Sequence, residues 1–181
     1  MSGCAGAGPA GPHWRGARLS PSVGAWCHDE APLRATRGAR ATRCRSGWVG
    51  FLVPGTDGAT LRQARRSSLL AAGDLALVDL GSPFEYRSRP GVLSAVQVEA
   101  GALGLTAGQV RVAAPLLRTS SLHHLVRDHV QDLASVVATS ADDPQRTGPA
   151  LDSPALEDLG AATVRLLVAL LLSCRPGPAA P

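Results

Sequence analysis

Two carboxylates, Asp74 and Asp79, stand close together in the segment SSLLAAGDLALVDLGSPFEY, which covers residues 67–86. A pair of carboxylates that face each other can carry out general acid and base chemistry. These two are five positions apart along a predicted strand, however, and such side chains point to opposite faces. The sequence therefore predicts structural roles: Asp74 caps a tight turn with Gly73, and Asp79 accepts a hydrogen bond at the end of the strand.

Histidine and cysteine, the usual ligands of transition metals, are poorly spaced for a metal site. None of the five His lies within the strand-rich segment 48–98, and none of the four Cys belongs to a C-x-x-C pair. The chain also lacks the G-x-S-x-G pattern of a nucleophile elbow. We therefore expect no catalytic residue, no metal ligand and no bound cofactor.

Short apolar runs separated by turn residues indicate antiparallel strands between residues 21 and 100. The strongest run is WVGFLV at 48–53, which is aromatic, β-branched and apolar. Turn clusters such as PGTDG at 54–58 and GSP at 81–83 separate the runs. This spacing predicts a small antiparallel sandwich or barrel. The other strands are expected at 23–27, 33–42, 59–64, 67–70, 75–80, 84–87 and 92–98.

After residue 99 the apolar spacing becomes helical. Thr106 suits the N-cap of a short helix at 107–113, and Ser120 or Ser121 suits that of a longer one. Ser153 followed by Pro154 predicts the start of a second long helix. The apolar residues of the first long helix fall on one face: Leu122, Leu125, Val126, Val130, Leu133, Val136 and Val137.

The basic charge of the chain is concentrated in its first third. Residues 1–66 hold ten Arg against three acids, and there is no Lys anywhere. No aromatic residue alternates with these Arg, so we interpret them as a solvated surface rather than a nucleic-acid platform. Residues 1–20 are rich in Gly, Ala and Pro and are expected to be a disordered tail. The apolar stretch 161–174 is shorter than the ~20 residues that span a bilayer, so we expect no membrane contact. The N-terminus shows no apolar signal core and the cysteines suit a reducing compartment, so we expect a cytoplasmic protein.

The order of these features resembles the AraC-type transcription regulators of bacteria. The resemblance lies in GWVGFLVPGTDGATLRQARRSSLLAAGDLALVDLGSPFEY (47–86) and LGLTAGQVRVAAPLL (103–117). The sensor domain of that family is a cupin-like β-barrel followed by two long helices. The resemblance thus implies an α+β fold, with a barrel at 21–100, a helical packing and dimerisation segment at 101–175, and the start of a linker at 176–181.

The resemblance also implies two candidate sites. Sensors of this family hold an effector among inward-facing barrel side chains, here Trp48, Phe51, Leu61, Gln63, Leu75, Leu77 and Phe84. The alternative is that these side chains simply fill the core of a small barrel. The first long helix would form the dimer contact through Leu122, Leu125, Val126 and Leu133.

The function implied by the resemblance is a non-enzymatic sensor and dimerisation domain. Its partners would be a small-molecule effector and a second copy of the chain or a full-length relative. Regulators of this type continue into two helix-turn-helix motifs, which are absent from these 181 residues, so we expect no direct DNA binding by the chain. The chain is then either a truncated copy or a stand-alone sensor. Two alternatives stay open: a small cupin-like enzyme, and a fragment without function.

Overall fold

The computed structural model describes residues 14–28, 32–37, 47–142 and 153–174. In these ranges nine strands precede the helices. The strands are β1 Trp14–Ser20, β2 Val23–His28, β3 Arg34–Arg37, β4 Trp48–Pro54, β5 Ala59–Gln63, β6 Arg66–Leu70, β7 Ala76–Asp79, β8 Phe84–Arg87 and β9 Leu93–Glu99. The helices are α1 Ala107–Ala113, a 3₁₀ helix Ala114–Thr119, α2 His123–Asp142 and α3 Ser153–Ser173. The predicted order of antiparallel strands followed by two long helices is confirmed.

The strands form two antiparallel sheets. The larger sheet has the order β1-β2-β9-β4-β7, and the smaller one has the order β3-β8-β5-β6. Strands β4 and β9 pair over seven residue positions, from Trp48 opposite Glu99 to Pro54 opposite Leu93. Strands β6 and β7, which follow each other in the chain, lie at the edges of different sheets. The segment 67–86 therefore crosses from one sheet to the other.

The larger sheet is buried on both faces. One face packs against the helices through Phe51, Val96 and Val98, which share a core with Val126 and Leu170. The other face packs against the smaller sheet. The core between the sheets contains Leu52, Val78 and Ala95 from the larger sheet and Leu61 and Tyr86 from the smaller one. The fold therefore has three layers, with the larger sheet in the middle. The helices cover one of its faces and the smaller sheet covers the other.

Local signals explain where the helices begin and how they pack. Thr106 and Gln109 form a capping box: the Thr106 hydroxyl accepts from the Gln109 N–H, and the Gln109 side chain accepts from the Thr106 N–H. Thr163 of α3 contacts His129 of α2. Within α3, the Thr163 hydroxyl donates to the Leu159 carbonyl at 2.8 Å. The single Thr163 proton is thereby used, so His129 Nε2 donates to the Thr163 hydroxyl at 2.9 Å. None of the described helices combines the length and apolarity that crossing a membrane requires.

The expectation of disorder up to residue 20 is wrong for residues 14–20. This segment forms β1, which pairs antiparallel with β2 from Trp14 opposite His28 to Ser20 opposite Val23. Leu19 is buried in the core beneath the helices. The strand is stabilised by this burial and by the ladder to β2, neither of which the Gly- and Ala-rich composition reveals. Residues 1–13 lie outside the described ranges.

Candidate functional site

The turn between β6 and β7 is held by two carboxylates. Asp74 Oδ2 accepts from the Ala71 N–H at 2.6 Å, and Asp57 Oδ1 accepts from the Ala72 N–H at 2.8 Å. Gly73 has a φ of +76°, a conformation that glycine adopts without steric cost. The predicted role of Asp74 as a turn cap is confirmed, and the turn is firmly attached to its neighbours.

Asp74 also connects this turn to the helical layer. Its carboxylate forms an ion pair with the guanidinium of Arg118, which lies in the 3₁₀ helix. The Asp74 side chain is mostly buried, whereas Arg118 is more than half exposed. Exposure screens such a pair, so it contributes little to stability. It marks the contact between the 3₁₀ helix and the β6–β7 turn.

A second clamp joins the two sheets. The Gln63 side-chain amide of β5 donates to the Asp79 carbonyl at 2.7 Å and accepts from the Asp79 N–H at 2.9 Å. The Asp79 carboxylate itself accepts from the Gly81 N–H at 2.8 Å and from the Ser82 hydroxyl at 2.7 Å. The predicted strand-end hydrogen bond of Asp79 is confirmed. The carboxylates of Asp74 and Asp79 are therefore both occupied by structural contacts.

A groove of about 1000 Å³ opens between the edge strands β6 and β7. Helix α1 and the 3₁₀ helix form its far wall, so a molecule in the groove touches both sheets and the helical layer. The surface of the groove is predominantly apolar. Its main apolar side chains are Leu61, Leu70, Leu75, Leu77, Val112 and Leu117.

The polar part of the groove is dominated by positive charge. Four arginines line it, and Asp79 is the acid that lines it among the described residues. Arg118 is paired with Asp74. Within the described ranges, no carboxylate oxygen lies within 4.0 Å of a guanidinium nitrogen of the other three arginines. These are Arg65, Arg66 and Arg111.

The structure divides the seven side chains predicted to line an effector pocket. Leu61, Gln63, Leu75 and Leu77 line the groove. The three aromatic side chains lie elsewhere. Phe51 is buried between the larger sheet and the helices, Phe84 packs between the two sheets, and Trp48 lies beside Arg18 with 5.2 Å from guanidinium carbon to ring centroid.

Sequence reasoning missed the helical wall of the groove. Arg111 lies in α1 and Arg118 lies in the 3₁₀ helix that follows it, and both line the groove. Val112 lies beside Arg111 and is exposed. The run RVAAPLLR has an arginine at each end of an apolar segment, which was a usable signal for an amphipathic wall. Nothing in it indicates that β6 and β7 lie opposite.

The four residues predicted for a dimer contact differ in how far they are exposed. Val126 and Leu133 are buried under the larger sheet, with 0% and 4% of their surface exposed. Leu122 is half-buried against the same core, and Leu125 is 56% exposed. Of the four, Leu125 is the side chain most available to a partner.

Each of two histidines in the helical layer donates one hydrogen bond from its ring, which a neutral imidazole can do. His123 Nδ1 donates to the Leu117 carbonyl at 3.1 Å, and His129 Nε2 donates to Thr163. Burial lowers the pKa of both His123 and His129 below the ordinary 6.5. In the described ranges, no three His, Cys, Asp or Glu side chains cluster closely enough to hold a metal ion.

These histidines predict how stability depends on pH. Because the pKa of each ring is lower in the folded chain, the unfolded chain binds protons first as the pH falls below about 6.5. The melting temperature should therefore decrease between pH 7.5 and pH 5.5. The variant His129→Gln keeps a donor for Thr163 and should show a smaller decrease. An equal decrease in both proteins would contradict the role of His129.

Comparison with known proteins shows the fold. No family model matches the chain, and no curated protein matches its sequence. The AraC-like transcriptional activator CuxR is 14% identical, with a TM-score of 0.67 over 91% of this chain and 57% of that one. This chain thus spans little more than half the length of the activator. The shared architecture confirms the predicted α+β, cupin-like sandwich with helices packed against it.

Two more solved structures match over about half of this chain. One is the Cupin_2 domain of an XRE family transcriptional regulator from Enterobacter cloacae, which is 13% identical. Its TM-score is 0.31, over 48% of this chain and 96% of that domain. The other is the EutQ protein of Clostridium difficile, 14% identical, with a TM-score of 0.32 over 45% of this chain and 60% of that one.

Proposed function

We propose that the chain is the sensor and dimerisation domain of an AraC-type transcription regulator. It binds a small-molecule effector and performs no catalysis. The proposal is supported by the groove between β6, β7 and the α1–3₁₀ wall, because a ligand there contacts the sheets and the helical layer together. The cupin-like fold shared with an AraC-like activator agrees with it. DNA contact is left to a further domain, and the site of action is the cytoplasm.

The signal travels by a change in packing. A ligand that binds more tightly to one arrangement of the helical layer shifts the population toward that arrangement. The Asp74–Arg118 ion pair lies at the junction where such a shift begins, since it joins the β6–β7 turn to the 3₁₀ helix. Helix α2 starts four residues after this helix and carries the exposed Leu125. Occupancy of the groove thereby affects the surface that a partner contacts.

A reporter experiment tests the regulatory role. The chain is fused to the DNA-binding domain of an AraC-type regulator that needs a dimer to occupy paired half-sites. The fusion should change transcription from those half-sites at least about tenfold relative to the DNA-binding domain alone. A folded fusion that behaves like the isolated DNA-binding domain would overturn the proposal.

Dimerisation gives a separate prediction. The wild-type chain should sediment as a dimer, and Leu125→Glu should sediment as a monomer because a buried, unpaired charge strongly disfavours an interface. Val92→Glu is the matched control, since Val92 is 47% exposed and lies outside the helices. A Leu125→Glu protein that remains dimeric would contradict the assignment of this surface.

A further inference from the structure

The groove is shaped for a ligand with an apolar body. Its volume of about 1000 Å³ is sufficient for a small organic molecule. Leu61 and Leu70 lie on the smaller-sheet side, Leu77 lies in β7, and Leu75 immediately precedes that strand. An apolar ligand that covers this surface removes it from water, which lowers the free energy of the complex.

Exposed apolar side chains extend this surface to the mouth of the groove. Leu69 of β6 is 72% exposed and Val112 of α1 is 55% exposed, and both line the groove. Exposed apolar side chains at the rim of an opening favour an interaction site. The mouth therefore favours an apolar ligand as well.

The charges of the groove select the polar part of that ligand. Arg66, Ser68 and Leu70 share one face of β6, and the burial of Leu70 identifies this face as the one toward the larger sheet. Arg66 thus belongs to the wall formed by β6, and Arg111 belongs to the wall formed by α1. Neither guanidinium has a carboxylate within ion-pair distance in the described part of the chain.

The two aspartates nearby, Asp74 and Asp79, form no ion pair with these two arginines. The Asp79 carboxylate is occupied by the Gly81 N–H and the Ser82 hydroxyl. Asp74 is occupied by Arg118 and the Ala71 N–H. A ligand that enters the groove therefore meets guanidinium groups whose charge is available for an anion.

We propose that the groove binds an amphipathic anion, a small molecule with an apolar body and a carboxylate or phosphate head. The body lies between Leu61, Leu70 and Leu77, and the head lies between Arg66 and Arg111. This inference rests on the proposed sensor function and names the chemical class of its effector.

Calorimetric titration at low ionic strength tests the inference with four probes that share an eight-carbon chain. Octanoate and octyl phosphate carry the anionic head, octanol is neutral, and octyltrimethylammonium is cationic. At least one anion should bind tenfold or more tightly than octanol, a difference of about 1.4 kcal/mol. Comparison of the two anions tells which head group the arginines prefer. If octanol or the cation binds as tightly as both anions, or if neither anion binds, the inference is overturned.

Single substitutions locate the head group. Arg66→Gln and Arg111→Gln should each weaken anion binding about tenfold, because each removes one charge-assisted contact, and should leave octanol binding unchanged. Arg89→Gln, an exposed arginine on the β8–β9 turn outside the groove, is the matched control and should bind like wild type. Equal losses in Arg89→Gln and Arg111→Gln would overturn the placement.

One further variant should strengthen binding, an effect that damage to the fold does not produce. Asp74→Asn keeps an oxygen for the Ala71 N–H but releases Arg118 from its ion pair. Anion affinity should then rise several-fold, because a fourth guanidinium becomes available; weaker binding would count against the inference. The reporter and sedimentation experiments use no ligand, so their outcome separates a failure of the sensor role from a failure of the ligand class.

Discussion

Replacing Phe51 by Ala is expected to lower the free energy of unfolding by about 3–5 kcal/mol. Phe51 has no exposed surface and lies opposite Leu77 in the β4–β7 pair. Its ring fills the space between the larger sheet and the helices, so its loss leaves a cavity between two layers. Urea denaturation followed by circular dichroism measures the change.

The second phenylalanine of the chain is the matched control. Phe84 is half-buried and packs between the two sheets, so Phe84→Ala should cost less than about 3 kcal/mol. Both residues were predicted to line an effector pocket, and neither lines the groove. A larger loss from Phe84→Ala than from Phe51→Ala would contradict the layer order.

Replacing Gln63 by Leu is expected to cost about 1–3 kcal/mol, because two hydrogen bonds are lost and the Asp79 N–H is left unpaired, while the Asp79 carbonyl keeps the Ser82 N–H at 3.2 Å. The substitution keeps a similar volume, so the loss reports on the polar clamp between β5 and β7. Hydrogen exchange adds a local measurement: the Asp79 amide should exchange faster in the variant.

Thr60→Val on the same strand provides the comparison. Thr60 and Gln63 lie three positions apart on β5, so their side chains point to opposite faces. Thr60→Val should change stability by less than about 0.5 kcal/mol and leave the exchange of Asp79 unaltered. Slow exchange of the Asp79 amide in Gln63→Leu would show that another group holds this strand edge.

Elements with strong local signals could be predicted from the sequence. The strand Phe84–Arg87 follows a Gly-Ser-Pro break, and the helix Ala107–Ala113 begins after a Thr106 cap; both have the predicted bounds. Strand β1 was not predicted from its Gly- and Ala-rich composition: it is stabilised by the hairpin with β2 and by burial of Leu19 against the helices, which are distant in sequence.

The faces of the buried elements were harder to predict than their positions. Strand β4 is buried on both sides, so its sequence has no alternation that assigns Phe51 to the helices or Leu52 to the smaller sheet. The apolar face of α2 was also ambiguous, because its sequence does not say whether a sheet or a partner chain covers it. A helical stripe shows that something covers it, but only the structure shows that the larger sheet covers Val126 and Leu133.

The position of the groove depends on local sequence patterns and also on how distant elements pack together. The resemblance to the regulator family, applied to the predicted strands, selected Leu61, Gln63, Leu75 and Leu77, and these four line the groove. Arg66 and Arg111 come from elements with no sequence relation to each other. Both line one groove because the chain crosses between the sheets at residues 71–75, where β6 ends one sheet and β7 ends the other, and α1 forms the far wall.

The most direct test of the account is an amide NMR titration of the ¹⁵N-labelled chain with octanoate and octyl phosphate. We predict that at least one of them shifts the signals of β6, β7, α1 and the 3₁₀ helix, with Arg66 and Arg111 among the most affected. The outer face of the smaller sheet is an internal control, because Arg34, Arg62 and Arg87 there surround Glu85. Shifts centred on that outer face, or no shift in the groove with either anion, would contradict the account.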